Sequence, residues 1–487
     1  MVARKPVVNS EALCKLGAEK LAALIVVQAE SDQVFRRIVS AALAGAKGPE
    51  AVTKLIDQRL AALEKARSRV SWRRTKTFAQ DLQSILRMID GELAPLSAPL
   101  AVDRLLRFIA TNGVVFERLE DGSGLIDDLY QNAVDALVPL TERLDEADRL
   151  LLPDRIMARL EDDEDNYLLL ILTAIARHLP EAALLQWDRQ LEGQTKEIRR
   201  RKGGRFEHEF FKSRLIDRLL TARQIIARAR DDLDGLVALE AQKSPTLQDR
   251  LSVARMLYDA GRFQEALDWL RKPEDGRVRI MRREDLANGA GPIIAERLDR
   301  VALEANILTA LGDKPAAQAL RWTCFEETLE PEPLRGYIAA LGDFEEFEAL
   351  DKAFAFVSKV KSPYGALSFF LRWPRLDHAA ALVLAHRGRW DGGFYELLAS
   401  AAELLEESQP LASAVLYRAL LDDILNKSRS AAYGHGARHL IALRHLDGVI
   451  PPEAYTQARM EPHAAYEAKL KQVHGRKYGF WPLLEGH

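Results

Sequence analysis

Apolar positions recur at helical spacing along most of this chain. The clearest stretch is residues 246–273. Leu247, Leu251, Ala254 and Tyr258 stand at i, i+4, i+7 and i+11, which is one face of a helix. Gly261 follows where a helix commonly ends on a left-handed residue. Phe263, Ala266, Leu267 and Leu270 then repeat the pattern at i, i+3, i+4 and i+7, and Pro273 closes it. Two short antiparallel helices joined by a tight turn cannot cover both apolar faces alone, so they require neighbours of the same kind. A second unit sets Ala305, Leu308, Leu311, Gly312, Asp313 and Ala317 where the first has Ala254, Leu257, Ala260, Gly261, Arg262 and Ala266. Further units are expected around Gly342 and around Gly388 with Trp390. The turn glycines are unevenly spaced, so the repeats are divergent and carry insertions. The pattern predicts an all-α fold, an α-solenoid of antiparallel helical hairpins.

The rest of the chain reads the same way. Asn9 or Ser10 caps a first helix over about 10–30, whose buried face is expected to hold Leu13, Leu16, Leu21, Leu24 and Ile25. A second helix covers 31–44, and a third starts at Pro49 and runs through Ile56, Leu60 and Leu63. Later helices are expected over 104–116, 126–144, 154–160 and 167–178, with one long helix over 206–239. Residues 121–124 form a turn between the first two of these. The expected organisation is an N-terminal helical region (1–90), helical hairpins with charged segments (91–245), helical repeats (246–450) and a C-terminal tail (451–487). In that tail Tyr466, Leu470 and Val473 form an apolar stripe, and Phe480 and Trp481 are expected to dock back on the last helices. A solenoid needs such a cap because its final repeat has no following neighbour.

Composition narrows the class. Apolar residues make up 48% and charged residues 29% of 487 residues, which is a globular balance and not a disordered one. The net charge of −3 gives no global preference for nucleic acid or membrane, and leaves only local patches to consider. Two cysteines, Cys14 and Cys324, make neither a disulfide framework nor a zinc site. Both lie in apolar patterns and are expected to be buried. The apolar run over 21–29 is about half the length that spans a bilayer. A cytoplasmic location is therefore the expectation.

Catalytic signatures are missing. The sequence has no phosphate-binding glycine loop, no dinucleotide fingerprint, no H-E-x-x-H and no nucleophile elbow. The acidic run 161–165 lacks the glycine and the closing glutamate of a calcium loop and reads as a solvated helix start. Six of the ten histidines fall from His435 onward. His435 and His439 share a helical face, yet no further ligand stands at fixed spacing to complete a metal site. No cofactor and no metal are expected.

Two basic segments stand out. Residues 65–76 hold Lys65, Arg67, Arg69, Arg73, Arg74 and Lys76 around Trp72. Residues 196–205 hold Arg199, Arg200, Arg201, Lys202 and Arg205, with Gly203 and Gly204 between them and Phe206, Phe210 and Phe211 beyond. Cations beside aromatics are what single-stranded nucleic acid requires. The competing reading makes the arginines a solvated face and the phenylalanines core.

Residues 260–266, with Gly261, Phe263 and Ala266, resemble the turn of tetratricopeptide repeats, and the small Ala254 and Ala266 permit close helix approach. The unit at Gly312 and Ala317 matches less fully, and the one at Gly388 less again. The resemblance implies a tetratricopeptide- or HEAT-like superhelix that binds a protein or peptide and performs no chemistry. Across most of the chain, Val115, Phe116, Glu117, Arg118, Asp121, Ser123 and Gly124, residues 411–440 and residues 463–481 resemble an uncharacterised proteobacterial helical-repeat family. That family is similar to the helical region accompanying SWIM zinc fingers. Such a finger needs three cysteines and a histidine at close spacing, so its zinc and nucleic-acid binding do not carry over. The function expected is a scaffold for a protein or peptide partner, outside the membrane. The alternative is nucleic-acid association through 65–76 and 196–205.

Overall fold

The computed structural model describes residues 9–119, 124–160, 166–200, 206–273, 291–342 and 344–484. Among the described residues the regular elements are all helices, and extended backbone pairs only at an isolated bridge between Val70 and Leu119. None of these helices is long and apolar enough to cross a membrane. The described residues fall into two compact units that meet in sequence between Asp249 and Arg250.

The N-terminal unit is built from two rows of helices. In one row Pro49–Lys65, Ala98–Ile109, Glu146–Arg159 and Glu181–Arg200 each touch the next. In the other, Thr75–Arg87, Leu125–Asp135, Tyr167–Ile175 and Phe206–Ala229 do the same. Helical spacing explains the packing. Val52, Ile56, Leu60 and Leu63 fall on one face of Pro49–Lys65 and are buried. Phe108, Tyr130 and Trp187 are fully buried between the rows. The rings of Phe108 and Tyr130 stack at 4.9 Å, and the Tyr130 hydroxyl lies 2.7 Å from Thr111 Oγ1, so its polar end is satisfied inside the core. Met88–Leu93 forms a π-helical turn in which Ala94 N donates to Ile89 O at 2.8 Å, with Met88, Ile89 and Leu93 buried.

Several boundaries differ from expectation for physical reasons. The first helix is two, Ser10–Cys14 and Ala18–Ser31, separated at Gly17 with φ +80°. Its supposed core face is not a core: Leu13, Leu16, Leu24 and Ile25 are exposed, and so is Cys14. The long helix expected over 206–239 stops at Ala229. Asp231 turns into the left-handed region at φ 52°, and the Asp232 carboxylate accepts from Gly235 N at 2.8 Å to start Leu233–Glu240. The short helix expected over 154–160 instead begins at Glu146 and carries Pro153 inside it, as Glu146–Arg159.

The C-terminal unit consists of packed pairs. Arg250–Asp259 lies against Phe263–Leu270, Gly291–Ala310 against Lys314–Thr328, Pro363–Arg372 against Leu376–Ala385, and Tyr395–Leu405 against Pro410–Asn426. The first two turns share one geometry. Gly261 and Gly312 adopt φ +76° and +88°. Arg262 N donates to Leu257 O at 2.8 Å and Asp313 N to Leu308 O at 2.9 Å, the bond that closes a helix after a left-handed residue. Ala254, Ala266 and Ala317 are fully buried. At Gly342 and Gly388 the backbone stays out of the left-handed region, so those glycines do not make the same turn.

Candidate functional site

The helix Pro410–Asn426 is buried almost all round its circumference, by Tyr395–Leu405 on one side and Tyr433–Asp447 on another. Leu416, Leu420, Leu421 and Leu425 account for the apolar part. The same helix also carries Arg418 and Asp423, both buried, and Asp422. Long charged side chains are rarely buried unless paired, which makes this helix the place to look for function.

Arg418 is 8% exposed. Its Nη1 donates to Glu461 O at 2.9 Å. Its guanidinium carbon stands 4.4 Å from the Tyr466 ring centroid and 5.7 Å from that of Tyr455. Nε and Nη2 are buried without a hydrogen-bond partner, and no carboxylate lies within ion-pair distance among the described residues. Two aromatic faces therefore hold a desolvated cation without neutralising it. Burial pushes the Arg418 pKa below its ordinary value. The Tyr466 hydroxyl donates to Asp422 Oδ1 at 2.8 Å. Burial raises the Asp422 carboxyl, against that bond and the charges of Arg418 and Lys469. Asp423, one residue on, is neutralised by Arg429 at 2.9 Å and by Lys427.

These groups border a cavity of about 670 Å³, whose walls include Arg387, Trp390, Arg418, Asp422, Arg459 and Lys469. Gly392 sets one wall. A Cβ there would come within 2.5 Å of Ala419 O, so only glycine lets the segment after Trp390 lie on the helix. Trp390 is anchored by its Nε1, which donates to Val383 O at 3.1 Å. Behind the cavity, Glu467 accepts from Arg444 at 2.9 Å and pairs with Lys471, contacts that hold its carboxyl down at about 2. The arrangement can receive an anionic group and a hydrogen-bond donor side by side. It supplies no nucleophile next to a base.

Arg199 and Arg200 lie in the last turn of Glu181–Arg200, and Arg199 Nη1 donates to Gln242 Oε1 at 3.3 Å. Arg201, Lys202 and Arg205, the side chains of Phe206, Phe210 and Phe211, and the acidic run 161–165 lie outside the described residues. Residues 65–76 are described, and all six of their cations are exposed. His435 Nδ1 is 3.0 Å from Arg438 Nη2, while His439 packs on the Tyr417 ring at 5.2 Å, so the two imidazoles have different neighbours. No trio of metal-binding side chains occurs among the described residues. Phe480 is fully buried, edge-on to Tyr433, and the Trp481 Nε1 donates to His474 O at 2.9 Å.

The sequence pattern singles out Gly388 as a turn and residues 411–440 as a family stretch, but not Arg418. The signal is there as an arginine and two aspartates on an otherwise apolar helix, which looks like a solvated face until both flanks are covered.

Packed helices with a buried arginine beside a cavity define, among the described residues, an all-helical protein. The chain belongs to a family of unknown function (DUF6880), which matches residues 3–483. No curated protein matches it.

Proposed function

We propose that this protein is a non-enzymatic α-solenoid scaffold that binds a protein or peptide partner and seats a carboxylate of that partner against Arg418. The observation that carries this reading is the buried guanidinium without a carboxylate of its own beside a cavity of about 670 Å³. An isolated buried charge is costly, and a ligand carboxylate would neutralise it through charge-assisted bonds. Lys469 and Arg459 add positive charge at the rim, and Asp422 offers an acceptor to the partner's backbone or amine. The serial packing of helices in two rows and the shared turn at Gly261 and Gly312 support the solenoid and the tetratricopeptide-like part of the reading.

The test is titration of the full chain with a peptide library carrying either free or amidated C-termini and either Glu or Gln side chains. Acidic or free-carboxylate peptides should bind, and Arg418→Met should weaken them at least tenfold with an unchanged fold by circular dichroism. Equal binding of amidated, Gln-containing peptides, or of the Met variant, would remove the proposal.

A further inference from the structure

The segment after Pro49–Lys65 presents charge in a different way. From Lys65 to Gln80 the chain carries six cations and no Asp or Glu. The nearest acid before it, Glu64, is already held by Arg107 Nε at 2.7 Å and Nη2 at 2.9 Å. Lys65, Arg67, Arg73, Arg74 and Lys76 form no ion pair among the described residues, and all are exposed. Trp72 begins a short 3₁₀ turn, Trp72–Arg74, and is 66% exposed. Arg73 stands over its ring at 5.2 Å.

The loop is nonetheless fixed in place. Val70 is buried and its N–H donates to Arg118 O at 2.8 Å. Arg118 returns a bond from Nε to Ser68 O at 2.8 Å and lays its guanidinium over Phe78 at 5.5 Å. One buried valine and one structural arginine thus hold a rim on which an indole and a row of cations face water. A large exposed aromatic gains nothing from the fold itself, and cations without counter-charges repel one another.

We propose that residues 65–76 bind single-stranded nucleic acid, with an unpaired base stacked on Trp72 and flanking phosphates held by Arg67, Arg73, Arg74 and Lys76. Stacking on an indole needs a base freed from its pair, and the phosphates need only charge, so the site discriminates strandedness and not sequence. The 2′-hydroxyl is the one feature that separates RNA from DNA here.

Fluorescence anisotropy of the full chain with labelled oligouridylate and oligodeoxyuridylate of about 12 nucleotides, which differ only at the 2′ position, decides the matter. Both should bind, with affinity falling log-linearly between about 50 and 200 mM salt, and Trp72 emission should be quenched on binding. A preference for one oligomer would identify the sugar. Trp72→Ala should weaken binding roughly 5- to 150-fold, the range of one base stack, and Trp72→Phe should restore much of it. Arg73→Ala with Arg74→Ala should shallow the salt slope by about 0.7 for each phosphate left without its cation. The proposal falls if no oligomer binds at low salt. It also falls if Trp72→Ala binds like wild type, or if duplex of equal length or anionic phospholipid vesicles bind as tightly as the single strand.

Discussion

Two candidate sites, one in each unit, use arginine in opposite settings. On the N-terminal unit Arg73 and Arg74 project from a rim loop and touch little of the core. In the C-terminal unit Arg418 lies buried against two tyrosines, on a helix covered from two sides, and borders a cavity. The contrast separates two ways of keeping a binding group. An exposed cation can be changed with little effect on folding, because water solvates either state. A buried one is tied to its surroundings, so the same substitution alters packing, charge and ligand affinity together.

The largest expected effect is at the tail. Phe480→Ala empties a fully buried site and should cost about 3–5 kcal/mol, whereas Trp72→Ala on the rim should stay within about 0.5 kcal/mol. Thermal melts with hydrogen exchange would show the loss in Tyr433–Asp447. A wild-type melt for the Phe480 variant would take the tail out of the C-terminal core.

Acid sharpens the contrast next. Burial, as the first cause, lowers the pKa of His439 to about 4 and that of His463 and His474 below 6.5. Folded, these rings stay neutral where the unfolded chain already binds protons. Stability should therefore be full above pH 6.5 and decline as pH falls towards 4, at roughly 1.4 kcal/mol per unit for His439. Asp422, raised by burial, works against this trend at the acidic end. Urea midpoints at pH 7 and 5 should differ less in His439→Gln than in wild type. An identical pH dependence would show that another group titrates.

Smaller still is Ala254→Leu, which overpacks a fully buried contact and should cost about 1–3 kcal/mol in thermal melts. Arg73→Ala with Arg74→Ala closes the series, with a change below about 0.5 kcal/mol. A large destabilisation there would mean that the rim supports the fold, and the comparison between the units would fail.

How much of this is legible in the sequence follows from the kind of signal each feature leaves. The turns at Gly261 and Gly312 are visible because glycine is the residue that enters the left-handed region freely. Asp231, Ser428 and Arg459 adopt φ 52°, 50° and 50°, and Asp232, Arg429 and Met460 donate back across them at 2.8–3.1 Å. Those three turns use the same geometry with ordinary residues, so composition does not reveal them. Gly342 and Gly388 show the converse, turn-like composition without positive φ. Leu13, Leu16, Leu24 and Ile25 carry a proper helical stripe, but periodicity says only which side is apolar and not whether anything covers it. Arg418 is hidden for a related reason. Its burial comes from Tyr455 and Tyr466, far along the chain, and a local pattern holds no record of them.

The π-helical turn at Met88–Leu93 bears on how the chain tolerates changes in length. Adding one residue to an ordinary helix rotates all that follows by about 100° and turns a buried face outward. The bond from Ala94 N to Ile89 O instead confines one surplus residue to a single wide turn. Thr75–Arg87 before it and Ala98–Ile109 after it keep their buried faces. A chain lacking the exposed Gly91 could close the same span as plain α-helix. Relatives one residue shorter at this point would then keep the register of both helices, and an alignment gap there would record a change the core does not feel.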